Sequence, residues 1–151
     1  MLRNARHEKI LELIDEMEIE TQEELCDELA ANNFTVTQAT VSRDIKELHL
    51  FKVRGTKKRF RYAAVSETEG GISEKLRILF SESVLSIRTV GNIIVIKTIN
   101  GNGANAGYVI DKLEYKEVVG SLGGVDTLFS ICDTPEDAKI VANRLEAIMK
   151  G

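Results

Sequence analysis

The side chains best suited to chemistry lie in one short stretch, Thr37-Gln38-Ala39-Thr40-Val41-Ser42-Arg43, with Lys46 just beyond it. Gln38, Thr40 and Ser42 offer amide and hydroxyl groups, and Arg43 and Lys46 offer cationic donors. Val41, Ile45 and Leu48 recur at helical spacing and lie together against a core. The same spacing turns Ala39, Ser42, Arg43 and Lys46 to the opposite side. Small residues there let the helix approach closely, and the donors suit phosphate oxygens and guanine edges in a major groove. The predicted chemistry is therefore DNA recognition, with Gln38, Thr40, Ser42, Arg43 and Lys46 as the contacting residues.

Such a helix must be started and held. Thr37 is a good N-cap, because its hydroxyl accepts from a backbone N–H of the first turn. Upstream, Thr21-Gln22-Glu23-Glu24 reads as a capping box opening a short helix with Leu25, Cys26 and Leu29 as its apolar positions. That helix stops at Asn32-Asn33, so helix, short turn and capped helix follow one another, the helix-turn-helix order. A longer helix from about Arg3 to Glu16 precedes both, with Ile10, Leu11 and Ile14 expected on its buried side. Downstream, Phe51, Val53, Phe60 and Tyr62 alternate with Lys52, Arg54, Arg59 and Arg61 around a Gly55-Thr56-Lys57-Lys58 turn. Period-two alternation predicts a two-stranded ribbon with the rings and Val on one face and the cations on the other, the wing of a winged helix. Lys57, Lys58 and Arg59, at or beside its tip, are predicted to meet phosphates rather than bases.

The net charge of −4 argues against a protein that coats nucleic acid indiscriminately, but the charge is segregated. Residues 8–28 carry ten carboxylates against the single Lys9, whereas residues 43–61 carry eight Arg and Lys against Asp44 and Glu47. An acidic back and a basic front would orient the domain on a duplex. No apolar run is long enough to span a membrane and Met1 opens no signal-peptide pattern, so a cytoplasmic location is expected. Cys26 and Cys132 lie far apart without ligand-like spacing and read as buried, reduced thiols. His7 and His49 have no Cys or acidic partner at metal-site spacing, and no metal is expected. No nucleophile–base constellation and no Gly-rich phosphate loop stands out, so an enzyme is not expected.

With 151 residues the chain has room for two small domains. Ser66-Glu67-Thr68-Glu69-Gly70-Gly71 is polar and aperiodic, as a linker should be. The predicted division is a winged-helix domain over 1–65, a linker over 66–73 and a second domain over 74–151. In the latter, Ser73 caps a helix through Phe80. Val84–Val90 and Ile93–Ile99 read as strands around Gly91-Asn92, and a helix runs from about Ala104 to Leu113. Glu117–Leu122 and Thr127–Cys132 read as strands around Gly123-Gly124, and Asp133-Thr134-Pro135-Glu136 starts a last helix. The order αββαββα predicts an α+β layer, an antiparallel sheet covered on one face by helices. Ile93-Ile94-Val95-Ile96 is more apolar than one buried face requires, which suits either burial on both faces or packing against another subunit. A single small winged helix binds weakly, so something must assemble several of them, and the second domain is the candidate.

Across nearly its whole length the chain resembles the bacterial arginine repressors. The similar blocks are Glu20 to Leu25, Val36-Thr37-Gln38-Ala39-Thr40-Val41-Ser42-Arg43-Asp44-Ile45-Lys46-Glu47-Leu48, Gly120 to Thr127, and Thr134-Pro135-Glu136-Asp137. The resemblance implies a winged-helix N-domain that binds A·T-rich palindromic operators in double-stranded DNA, with Ser42 and Arg43 central. It also implies a C-domain that forms trimers stacked into a hexamer with L-arginine as corepressor between them. The expected role is repression of arginine biosynthesis and activation of arginine catabolism. One block departs from the family. Gly124-Val125-Asp126-Thr127 stands where the family has Gly-Asp-Asp-Thr, whose two carboxylates hold the guanidinium, so Asp126 remains and Val125 replaces its partner. In the facing loop, the family's Pro-Gly-Asn-Ala-Gln falls on Asn100 to Ala104, which keeps Gly101 and Asn102. The alternative reading is a paralogue with weakened or lost arginine sensing that acts with a partner, as a heteromer, or with another ligand.

Overall fold

The computed structural model describes residues 2–64 and 73–150, and residues 66–72 of the predicted linker lie outside the described residues. Two compact units divide the chain, Met1–Val65 and Ser66–Gly151.

The first unit opens with α1 (Leu2–Glu16), α2 (Gln22–Ala31) and α3 (Gln38–Glu47) and closes with a hairpin of β1 (Phe51–Arg54) and β2 (Phe60–Ala63). The predicted caps form: Thr21 Oγ1 accepts from Glu24 N at 3.0 Å, and Thr37 Oγ1 from Thr40 N at 3.2 Å. Ile10, Leu13, Ile14 and Ile19 join Leu25, Leu29, Val41, Leu50 and Tyr62 in one core. Leu11, expected inside, is 37 % exposed, and Leu13 takes its place at 4 %. The reason is the helical period: 10, 13 and 14 close one stripe, and 11 lies beyond its edge, one residue step round from 10.

The ribbon departs from expectation in its register. Phe51 pairs with Ala63, Lys52 with Tyr62, Val53 with Arg61 and Arg54 with Phe60. Directly paired residues share a face. Phe51 and Val53 therefore lie on one side with Arg61, while Tyr62 and Phe60 lie on the other with Lys52 and Arg54. The ribbon has no wholly cationic face. The loop between Arg54 and Phe60 holds one residue more than the four-residue turn assumed from sequence, and one residue inverts a strand's faces.

The second unit follows the predicted order: α4 (Glu74–Ser83), β3 (Val84–Val90), β4 (Ile93–Thr98), α5 (Gly103–Leu113), β5 (Val118–Gly123), β6 (Thr127–Cys132) and α6 (Pro135–Lys150). The strands form an antiparallel sheet in the order β3-β4-β6-β5. Helices α5 and α6 pack on this sheet, and α4 packs against both of them. Ile94, Ile96 and Leu128 bury towards the helices at 0 % exposure. On the other face the register aligns Val90, Ile93 and Ile131 in one row, and Val95, Phe129 and Leu122 in the next. Val90, Leu122, Phe129 and Ile131 are exposed there, so the apolar run at Ile93–Ile96 is buried on one face of its own domain and open on the other.

Candidate nucleic-acid interface and effector loops

Helix α3, which carries the predicted DNA-contacting residues, is locked at both ends and from behind. Before it, α2 ends with Asn33 at φ 68°, and Phe34 N donates to Leu29 O at 2.8 Å while Asn33 N donates to Ala30 O at 3.1 Å. This is a Schellman motif, with Asn33 in the left-handed position that asparagine tolerates. At the far end, His49 takes the same position at φ 51°, with Leu50 N on Ile45 O at 3.0 Å and His49 N on Lys46 O at 3.2 Å. Gln38, Ala39, Arg43 and Lys46 are exposed, and Thr40 and Ser42 are half-buried. Among the described residues, Arg43 makes no hydrogen bond or ion pair, so its guanidinium is available to a partner.

Behind α3 sits a residue not among those singled out from the sequence, although its spacing, three after Val41 and four before Leu48, places it on the buried side. Asp44 is 2 % exposed. Its carboxylate takes Arg6 Nε at 2.6 Å, Arg6 Nη2 at 3.0 Å and His7 Nε2 at 2.8 Å, all from α1. Burial alone would push this carboxyl up, but the Arg6 and His7 contacts outweigh it and hold it below its ordinary value. Arg6 is raised in turn, chiefly by its hydrogen bond to Asp44. Glu47 extends the network to Arg3 at 2.6 Å. Tertiary folding thus gives His7 the acidic partners that its sequence spacing lacked, with His7, Asp44 and Glu47 ligand atoms within 4.8 Å of one another. Both carboxylates are already matched by guanidinium groups. A cleft of about 250 Å³ lined by Arg3, Arg6, Thr40, Arg43, Asp44 and Glu47 opens beside the exposed side of α3.

The wing tip is held by the acidic segment, so the predicted separation of acidic back from basic front is incomplete. Glu18, in the α1–α2 connection, accepts from Thr56 N and Thr56 Oγ1 on one oxygen, and from Lys57 N at 2.7 Å and Lys58 N at 2.6 Å on the other. The Thr56 and Lys58 backbone N–H groups lead in lowering its pKa from 4.5 to about 2. The tip leaves no room for a side chain at Gly55, where a Cβ would lie 2.4 Å from Lys58 O. Lys58 Nζ is paired with the Glu24 carboxylate, whose Oε2 also accepts from Glu20 N at 3.5 Å. Arg59 lies over the Phe60 ring at 5.4 Å, and Lys52 over the Tyr62 ring at the same distance. Lys57 and Arg59 remain exposed without an ion-pair partner among the described residues.

In the second unit, the segments carrying Gly101, Asn102, Val125 and Asp126 face each other. Gly103 N donates to Val125 O at 3.2 Å, and Thr98 N to Asp126 O at 2.8 Å. The approach is close enough that a Cβ on Gly103 would lie 2.2 Å from Gly124 O, and one on Gly123 would lie 2.7 Å from Ala104 Cα. Asn102 is buried at the start of α5, whereas Val125 and Asp126 stand exposed at the tip between β5 and β6. Cys132 is buried and Cys26 half-buried, and both are free thiols. Among the described residues, no helix is long and apolar enough to cross a membrane.

Comparison with known proteins agrees with this geometry. Residues 1–70 match the family described as "Arginine repressor, DNA binding domain", and residues 80–147 match "Arginine repressor, C-terminal domain". The chain is 44 % identical over 149 residues to an arginine repressor of Clostridium tetani, covering 99 % of this chain and 97 % of the relative. It is 46 % identical over 150 residues to one from a Thermoanaerobacter strain, covering 99 % of this chain and all of the relative. Against one from Alkaliphilus metalliredigens it is 44 % identical over 149 residues, with 99 % of this chain and all of the relative covered. The chain belongs to the arginine repressor family, DNA-binding regulators of arginine metabolism rather than enzymes.

Proposed function

We propose that this protein is a cytoplasmic repressor of arginine biosynthesis, and an activator of arginine catabolism, that binds double-stranded operator DNA as an oligomer with L-arginine as corepressor. The observation that carries the reading is Arg43, unpaired among the described residues, on the exposed side of a helix whose opposite side is anchored through Val41 and Asp44. Arg43 and Lys46, with Gln38, Thr40 and Ser42, meet base edges and nearby phosphates in the major groove. Lys57, Lys58 and Arg59 meet flanking phosphates. The open sheet face, with Val90, Leu122, Phe129 and Ile131, supplies the apolar surface for trimers, two of which stack as a hexamer. Arginine binds beside Asp126 and the Gly101-Asn102 loop, which already face each other within one unit, where trimers stack.

Arg43→Ala tests the reading at its centre. The substitution costs about 1–3 kcal/mol of operator binding, while folding is unchanged because the side chain is exposed and makes no hydrogen bond or ion pair among the described residues. Wild-type affinity in a fluorescence titration of the variant refutes the assignment.

A second reading is favoured by Val125. With one carboxylate where the family has two, the protein senses arginine weakly and assembles with little need of it. It then acts through a heteromer with an arginine-sensing paralogue, or with another ligand. Arginine calorimetry on the purified chain separates the two.

A further inference from the structure

Three consecutive backbone N–H groups, of Thr56, Lys57 and Lys58, converge on one carboxylate lying thirty-eight or more residues earlier in the chain. Such a run of donors is an anion-binding nest. A wing tip is normally free to move, because a two-stranded ribbon is marginal on its own. Here the α1–α2 connection fastens the ribbon at two levels. Tyr62 N donates to Ile19 O at 2.9 Å along the outer edge of β2, and Glu18, the preceding residue, fills the nest at the tip. Ile19 is 1 % exposed, so this edge is anchored in the core, and Glu18 stands on a rigid base.

We infer that Glu18 is a positioning residue for DNA binding: its carboxylate fixes the wing tip so that Lys57 and Arg59 are presented to phosphates in one pose. The inference rests on the reading of the wing as a phosphate contact. Its chemistry is specific to a carboxylate. Both oxygens accept, and all three backbone donors and the Thr56 hydroxyl are satisfied. An amide at this position has one acceptor oxygen and an NH2 group that faces donors, so part of the nest is left unpaired. Ordering the tip before DNA arrives removes that entropic cost from binding.

The sign of the effect separates positioning from bulk charge. A carboxylate close to the DNA-facing cations repels phosphate, so removing its charge by itself tightens binding. If Glu18 positions the wing, removing it weakens binding. The experiment uses the full chain carrying Glu18→Gln, with sheared genomic DNA and an A·T-rich palindromic duplex as probes. Binding to both is expected to weaken about three- to tenfold, the scale of one or two lost phosphate contacts. Amide hydrogen exchange at Thr56, Lys57 and Lys58 is expected to speed up about tenfold or more in the free protein. Glu24→Gln removes the same charge and frees Lys58, so its binding is expected to be unchanged or tighter. Glu18→Asp, which keeps the carboxylate, should recover part of the loss. Binding by Glu18→Gln equal to or tighter than wild type, or unchanged amide exchange, overturns the inference.

Should Glu18→Gln not fold, the wild type decides. The Glu18 carboxyl and the three amides are expected to titrate together with a midpoint near 2, next to the Lys58–Glu24 pair. A midpoint at the ordinary 4.5 overturns the inference. The exchange and titration readouts need no DNA. If neutralising Lys57 and Arg59 leaves DNA binding untouched, the phosphate reading of the wing fails by itself.

Discussion

Val125 is 79 % exposed in the single chain, at a place where an apolar side chain gains nothing from folding. Its neighbour Asp126 is exposed as well, so the tip offers a single carboxylate to a guanidinium whose five donors are best matched by two. Val125→Asp is expected to raise arginine affinity by about thirtyfold to a few thousandfold, with unchanged thermal stability. It should also make operator binding more dependent on arginine, because clustered aspartates in an empty assembly repel until a cation relieves them. Equal calorimetric affinities for wild type and variant sink this idea. The substitution was legible in the sequence because it breaks a motif. Asp44 was legible only in part: it lies three residues after Val41 and four before Leu48, on the buried side of the helix, but nothing in the sequence names Arg6 and His7 of α1 as its partners. Contacts spanning almost forty residues become visible only when the helices are packed.

At the scale of elements, the helix starts at Thr21, Thr37 and Ser73 were legible because an N-cap is a local event, one hydroxyl and one nearby N–H. The end of α2 was legible too, since Asn33 is a residue that accepts positive φ, whereas His49 at the end of α3 carries no such signal. The wing shows the limit most clearly. Alternation in each strand was evident, but which faces coincide depends on the loop length between them, and a one-residue difference exchanged Arg61 for a ring. The consequence concerns which cations count. Lys58 is already paired with Glu24, while Lys57 and Arg59 have no ion-pair partner among the described residues. Neutralising Lys57 or Arg59 should weaken operator and random DNA alike and flatten the salt dependence by about one unit per lost contact. Lys58→Ala should do less. Loss of operator binding alone, with random DNA unaffected, would show instead that the wing reads sequence.

For the whole molecule, the αββαββα order and the antiparallel sheet could be read in advance because each hairpin carries its own turn signal. What the open face of that sheet does could not, since an apolar strand looks the same whether its second side meets a helix or another chain. The structure leaves Leu122, Phe129 and Ile131 uncovered within the unit, so assembly should reside there. Residues 73–151 expressed alone are expected to sediment as a trimer or hexamer, and residues 1–66 as a monomer that binds DNA poorly. A monomeric C-terminal unit at micromolar concentration would count decisively against the assembly.

The meeting of Gly103 with Gly123 and Gly124 has an evolutionary corollary. A stem that admits no side chain cannot change by ordinary substitution, because any methyl group added at Gly103 or Gly123 collides with backbone. The two residues just beyond it, Val125 and Asp126, are held through their backbone carbonyls while their side chains are exposed, the Asp126 carboxylate accepting only from Thr127 Oγ1 at 3.1 Å among the described residues. On the proposed reading of the tip as the effector site, ligand preference can drift by single mutations there while the scaffold stays fixed, and a protein of this architecture can lose or exchange its effector without passing through an unfolded ancestor.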